Sequence, residues 1–372
     1  MAEPLAEIIA DRFVGYQVKL MRLEAGERRK VLRALRALEK DVLAQLSASD
    51  IDQKSTLQQQ RLNSLMHTVE RAIASAYEDI AAAHDATLSE TAEVVSEHTV
   101  GVTNAVIKVP LLSTGVPQVA LEALAKDDLV EGRPAHDWWQ DQGRRFASRF
   151  RHIMRQGIVA GATMGDLLRK VRGTRESRFQ DGLMRITTRE AEALIRTSLL
   201  SVANAARYET LKANQDVVKG HMWQATLDPN TCPTCGVLAG QSWDFEGNPL
   251  EGTKQDFPGP PPRHFGCRCT LISVLKSWEQ LQREAKQDTT LGKKLDRLES
   301  KIGKGTQASM TGQVPADLTY TQWLNKRTES EQKEILGVGK WKLWKNGTIT
   351  LSDLVDQTGR PLTLKELKEG VG

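Results

Sequence analysis

Cysteine is scarce in this chain: 372 residues hold four, and all of them fall between positions 232 and 269. Aromatic residues are also few, at 5% of the chain, and the first hundred positions have little with which to close a core of their own. No apolar run approaches the roughly 20 residues that cross a bilayer, so a soluble protein without membrane contact is expected. The opening Met1-Ala2-Glu3-Pro4 is acidic and leads into no apolar stretch, which argues against a secretory signal. A reducing compartment follows, where disulfides are disfavoured. There is no Gly-rich phosphate loop ending in Lys-Ser or Lys-Thr, and no His-Glu-x-x-His helix. Net charge is only +4.

What is present is concentrated. Thr231-Cys232-Pro233-Thr234-Cys235 is followed by a Gly- and Pro-rich excursion and then by His264-Phe265-Gly266-Cys267-Arg268-Cys269. A Cys-x-x-Cys turn aims two thiolates at one point, and His-x-x-Cys-x-Cys offers three more donors for a tetrahedral zinc. In an extended Cys-x-Cys pair, Cys267 and Cys269 share one face, and His264 can swing in from the turn before them. Cys232 and Cys235 lead the ligand set, Cys269 and His264 follow, and Cys267 is either a ligand or a thiol behind them. The competing readings are a pair of disulfides, a redox Cys-x-x-Cys and four unrelated buried thiols. A redox pair would open a helix after a strand, whereas Gly236 and a turn-rich run follow here. Four protein donors leave no place for water, so the zinc is expected to be structural.

Charge is uneven along the chain. Arg144, Arg145, Arg149, Arg151, Arg155, Arg169 and Arg172 lie in a distinctly basic stretch, which suits nucleic acid or an acidic protein surface, or else a solvated helix face.

In chain order, helical spacing runs through 27–46, then through Leu62, Met66, Val69, Ile73, Tyr77 and Ile80 in a heptad-like seam. This predicts a helical hairpin at 1–100, and Leu62, Met66, Val69, Ile73 and Ile80 are the residues expected to lie along a partner's helices rather than in an ordinary core. A linker with a short helix near 119–125 is expected at 101–137. A helical core at 138–215 follows, with Trp139, Phe146, Phe150 and Ile153 on one stripe. Gly157 and Gly161 are read as ending or bending its first helix. Thr163 with Asp166 caps a short helix stopped by Gly173. Thr187-Thr188-Arg189-Glu190 fits a capping box opening another helix, on which Arg196, Asn204 and Arg207 form a row that braces neighbours or holds an anion. Alternation at His221, Trp223 and Ala225 predicts a strand leading into a zinc-binding β module at 216–276, with a second strand near 240–245. A charged linker at 277–312 and a small carboxy-terminal domain at 313–372, with a mini-core of Tyr320, Trp323, Leu324, Trp341 and Trp344, complete the plan. The fold class is mainly α with a small zinc-stapled β module.

The order of these features carries a likeness. A basic Gly-spaced helix, an Arg196-Thr197 helix continuing to Asn204 and Arg207, Trp223-x-Ala225-x-x-Asp228 before Cys232-x-x-Cys235, and Pro262-x-His264-x-x-Cys267-Arg268-Cys269 together resemble the bacteriophage minor head, or head morphogenesis, proteins of the phage Mu F-like family. The resemblance covers roughly 138–274. The tail motif Tyr320-x-x-Trp323-Leu324 through Leu336-Gly337 is similar to the ending of the Mu-like branch, and the amino-terminal helices match in character only. It implies a low-copy, non-enzymatic component of the virion head near the portal vertex, needed for head assembly or genome delivery. The implied partners are the portal protein, the major capsid or scaffolding protein, and double-stranded DNA. The alternative is a zinc-dependent DNA-processing enzyme or a DNA-binding protein of the virion interior. Only Asp228, Asp244 and Glu246 stand near the cysteines to serve such an enzyme, and the tail lacks the paired His, Glu-x-Glu or acidic cluster of toxin-like domains.

Overall fold

The computed structural model describes residues 3–48, 56–107, 112, 115–127, 129–226, 231–250, 252–277, 280, 306–309, 312–315, 320–354 and 362–369. The fold is mainly helical with a small antiparallel sheet, as the patterning predicts. No helix among the described residues is long and apolar enough to cross a membrane. The chain forms two compact units, one of Met21–Glu90 with Ala125–Leu199, the other of Met1–Leu20, Thr91–Leu124 and Leu200–Gly372.

The first unit is helical. α1 (Glu3–Ala48) and α2 (Thr56–Ile107) are 46 and 52 residues long and contribute to both units. The helix expected at 27–46 reaches back to Glu3 because Pro4 falls in the first turn, where its missing N–H costs no bond. Val31, Leu35, Leu38, Val42 and Leu46 of α1 are buried. So are Leu62, Met66, Val69, Ile73 and Ile80 of α2, at 7, 4, 0, 0 and 4% exposure. The stripe expected to meet a partner is therefore packed in the interior of its own chain, and heptad spacing alone does not tell an internal seam from a docking one.

The stretch expected to be a linker holds α3 (Gln118–Asp127) and a two-residue hairpin, β1 (Leu129–Val130) with β2 (Arg133–Pro134). In α4 (Ala135–Val159), Trp139, Phe146, Phe150 and Met154 are buried on one side. Gly157 does not end this helix. A Cβ there would lie 2.2 Å from Leu167, so the glycine permits α5 (Met164–Arg172) to pack closely. Thr163 and Asp166 form the expected capping box on α5, and Gly173, at φ 99°, terminates it. α6 (Leu183–Lys212) starts four residues before the capping box read at Thr187. Thr187 is inside the helix and its hydroxyl donates to Leu183 O at 3.1 Å, satisfying locally the group expected to cap.

The second unit holds a sheet in the order β4-β3-β5, with β3 (Val218–Gln224) central and both pairings antiparallel. β4 (Ser242–Trp243) falls inside the expected second strand. β5 (Thr270–Leu275) was not anticipated, although Thr270-Leu271-Ile272-Ser273-Val274 is rich in β-branched residues; its register sets Trp223 opposite Leu271. A short hairpin, β6 (Thr306–Ser309) with β7 (Gly312–Pro315), lies where the charged linker meets the tail, while the rest of the expected linker, 281–305, lies outside the described residues. The tail folds as α8 (Tyr320–Asn325), α9 (Glu329–Leu336), α10 (Val338–Lys345) and α11 (Leu364–Glu369). They enclose Tyr320, Trp323, Leu324, Leu336, Ile349, Leu351, Leu354 and Leu367, with Trp341 and Trp344 partly buried at the edge.

Candidate metal centre

β3 delivers the chain to Cys232, which caps the six-residue helix α7 (Pro233–Leu238). Proline at the first helical position is preset for the turn, and the Cys232 Sγ accepts the Cys235 N–H at 3.4 Å. The Cys-x-x-Cys thus does open a helix, contrary to the turn read from Gly236. On the returning segment Cys267 N–H donates to His264 O at 3.1 Å, and Gly266 takes φ 78°, a left-handed value open to glycine.

His264 Nδ1 lies 2.9 Å from Phe265 O. A carbonyl can only accept, so Nδ1 carries the proton and Nε2 presents its lone pair, an arrangement typical of metal-binding histidines. That Nε2 lies 3.2 Å from Cys232 Sγ and 3.6 Å from Cys235 Sγ, and Cys235 Sγ lies 3.8 Å from Cys267 Sγ. Ligand atoms about 2.0–2.3 Å from a tetrahedral zinc stand roughly 3.5–3.8 Å apart; the Cys235 separations of 3.6 and 3.8 Å fall in that range, and the 3.2 Å between His264 and Cys232 is shorter. The donors form two triads that share Cys235: Cys232, Cys235 and His264, and Cys235, Cys267 and Cys269. Between them is a void of about 10 Å³, also bounded by Thr226, Thr231 and Arg268. No cysteine is bonded to another in the structure, and the 3.8 Å between the Cys235 and Cys267 sulfurs is well beyond the roughly 2.05 Å of a disulfide.

The packed thiols and imidazole shift one another in opposite directions. Hydrogen bonding with Cys235, and His264 alongside, draws the Cys232 thiol down to about 5 against the opposing effect of burial. Hydrogen bonding with Cys235 and Cys269 draws Cys267 down as well. Cys235 is pushed up by its bonds with Cys232 and Cys267. The Cys232 sulfur raises His264 to about 9, with burial working the other way.

The centre is braced from α6. Asn204 Nδ2 donates to Cys269 O at 3.1 Å, and Asn204 Oδ1 accepts from Thr270 Oγ1 at 2.9 Å and Leu271 N at 3.2 Å. Arg207, buried at 1% exposure, donates to Thr270 Oγ1 and to Leu271 O. Asn204 and Arg207 therefore tie α6 to β5 and to the backbone of Cys269, while Arg196 pairs with Glu24 at 2.9 Å in the other unit. The row read on α6 is a packing network. On the far side of α7, Gly236 lies against Tyr320: a Cβ there would be 2.5 Å from the ring.

The arginines expected to meet nucleic acid are mostly engaged within the chain. Arg144 and Arg145 each lie 3.5 Å from Asp141, Arg149 is 2.9 Å from Glu190, Arg151 is 2.6 Å from Glu70 and Arg169 is 2.5 Å from Asp166. Arg155 is exposed, and Arg172 lies over the Phe179 ring. Asp244 accepts from Glu246 N at 3.0 Å and Asn248 N at 2.7 Å, bracing its own turn; Glu246 is exposed, and Asp228 lies outside the described residues.

One constellation escaped the sequence reading. Ser198 Oγ is 2.7 Å from His84 Nε2, and His84 Nδ1 is 3.4 Å from Glu27 Oε1, the order of a nucleophile, base and orienting acid. Exposures of 1, 0 and 2% exclude substrate, and the serine hydroxyl already donates to Leu194 O at 2.8 Å. It is a buried polar clamp on α1, α2 and α6. No spacing rule links positions so far apart; the one signal was a histidine among the alanines of α2.

Residues 148–272 match the family model described as phage Mu protein F like protein. The matched span runs from the middle of α4 into β5 and takes in all five candidate donors together with Asn204 and Arg207. No curated protein and no solved structure matches the chain. The match spans about a third of the chain and agrees with the resemblance to the phage Mu F-like family over this segment.

Proposed function

We propose that the chain is a minor head protein of a tailed bacteriophage, present in few copies near the portal vertex, where it serves head assembly or genome delivery without catalysis. The observation that carries this reading is overlap: the family match contains the whole candidate metal centre. In this reading the module holds one structural zinc through Cys232, Cys235, His264 and Cys267, with Cys269 as a neutral thiol beneath it. The separations of Cys235 from His264 and from Cys267, 3.6 and 3.8 Å, are those of ligands sharing one ion. Zinc supplies folding free energy to a small, loop-rich module, and a shell filled by four protein donors leaves no position for an activated water.

Since Leu62, Met66, Val69, Ile73 and Ile80 are interior, the proposed portal contact falls to exposed faces of the chain. Mass-spectrometric inventory of purified virions, with capture on immobilised portal, capsid and scaffolding proteins, tests the reading. Low-copy presence in the head and retention on the portal are expected. Absence from virions would reject it. Metal-dependent DNA cleavage abolished by Asp244→Ala or Glu246→Ala would favour a DNA-processing enzyme instead.

A further inference from the structure

Two clefts in the unit of Met21–Glu90 and Ala125–Leu199 have no part in the metal centre. One, of about 420 Å³, runs beside α1 and carries Arg36, Arg172 and Arg185; the other, of about 480 Å³, carries Arg169, Arg172 and Arg175. Arg172 and Phe179 line both. Glu39 and Glu176 are the acidic groups on these walls, so the arginines outnumber them. Arg36, Arg172 and Arg175 are exposed, and the Nε of half-buried Arg185 has no hydrogen-bond partner. Among the described residues none of these four makes an ion pair, in contrast to the paired row on α4. Burial pushes the Glu39 carboxyl up, while Arg172 and Arg36 draw it down; one carboxylate among three guanidiniums leaves the cleft net positive, which favours an anionic ligand.

Phe179 is placed there by the backbone rather than by a core. Arg178 and Phe179 are consecutive residues at φ 54° and 60°, a conformation that costs about 1–2 kcal/mol per side-chain-bearing residue. The loop is held by Asp181, which accepts from Thr174 N and from Thr174 Oγ1, each at 2.8 Å, and from Ser177 Oγ. Gly173 and Gly182 permit the closure: a Cβ on Gly182 would lie 2.4 Å from Gly173 N. The outcome is a ring 38% exposed, with the Arg172 guanidinium 4.9 Å from its centroid. Strain that leaves an aromatic ring at the surface between two basic clefts marks a binding feature.

We propose that a single strand of nucleic acid crosses from one cleft to the other, its phosphates on Arg36, Arg172, Arg175 and Arg185 and a base against Phe179. Spaced negative charges satisfy the arginines, and an unpaired base supplies the flat face that a ring takes up. A duplex hides its base faces, and an acidic peptide has charges but no such face.

Fluorescence anisotropy of a labelled 12-nucleotide oligothymidylate with the full chain, through a salt series, tests this. Binding should weaken as salt rises, and Arg36→Ala with Arg185→Ala should lower the log–log slope by about 0.7 for each phosphate that is no longer neutralised. Phe179→Leu should weaken binding about fivefold or more with the slope unchanged. Arg144→Ala with Arg151→Ala should leave binding as it was. Circular dichroism checks that each variant is folded; should Phe179→Leu unfold, Phe179→Gly, which relieves the left-handed backbone, takes its place. Absence of binding, equal binding of a duplex or of polyglutamate, or equal loss in the α4 variant would each overturn the proposal.

Discussion

The Tyr320 hydroxyl donates to the carbonyl of Thr231 at 3.2 Å, fastening the first helix of the carboxy-terminal core to the residue before Cys232. The ring also lies on Gly236 of α7, between Cys235 and the tail core. Gly236→Ala should therefore force the ring away and destabilise the second unit by about 1–3 kcal/mol. Tyr320→Phe keeps the ring and loses one hydrogen bond, about 1 kcal/mol. Urea unfolding followed by tryptophan emission measures both, since Trp323 stacks on Tyr320 at 5.4 Å. A Gly236→Ala protein as stable as the parent would contradict this docking.

Asn204→Ala removes one partner each from Cys269 O, Thr270 Oγ1 and Leu271 N, all on buried residues, while Thr270 Oγ1 keeps Arg207. Stranded buried polar groups cost about 1–3 kcal/mol, so a loss of that order is expected. Hydrogen exchange should quicken at β5 before it does in α4. Uniform exchange, with stability unchanged, would mean that α6 does not brace the sheet.

His221 sits among rings, 4.4 Å from the Phe257 centroid and 5.1 Å from that of Tyr208, and neither ring nitrogen has a hydrogen-bond partner. Burial lowers its pKa to about 4, with Asp244 pulling the other way. The unfolded chain, titrating near 6.5, takes up the proton first. The stability linked to a neutral His221 is thus complete above pH 6.5 and is lost as pH falls toward 4, on the order of 3 kcal/mol. His98, also lowered to about 4 by burial and by Arg207 and Lys19, adds to the same window. His221→Leu should flatten the stability profile between pH 4 and 6.5 relative to the parent; an unchanged profile would show that burial does not shift His221 from its unfolded pKa.

The candidate metal donors were legible because cysteine is rare and the spacing that coordination chemistry asks for is local. The helices of the core were legible from period, and the cap at Thr163 from its side-chain chemistry. The role of the α2 seam was not, because a stripe records that it is buried and not by what. Arg144 to Arg151 read as a basic track since their partners Asp141, Glu190 and Glu70 are distributed over three helices. The Ser198, His84 and Glu27 cluster, like the loop that presents Phe179, exists only after distant segments or an unusual backbone bring the groups together.

Zinc content of protein freshly purified from a reducing cytoplasm decides whether the Cys/His cluster is a metal centre. Elemental analysis should find about one zinc per chain in the parent and in Cys269→Ser, and little in Cys232→Ser, Cys235→Ser, His264→Ala or Cys267→Ser. Parent protein that is folded and carries no metal, with its four thiols all titratable by a thiol reagent, would contradict a metal centre there.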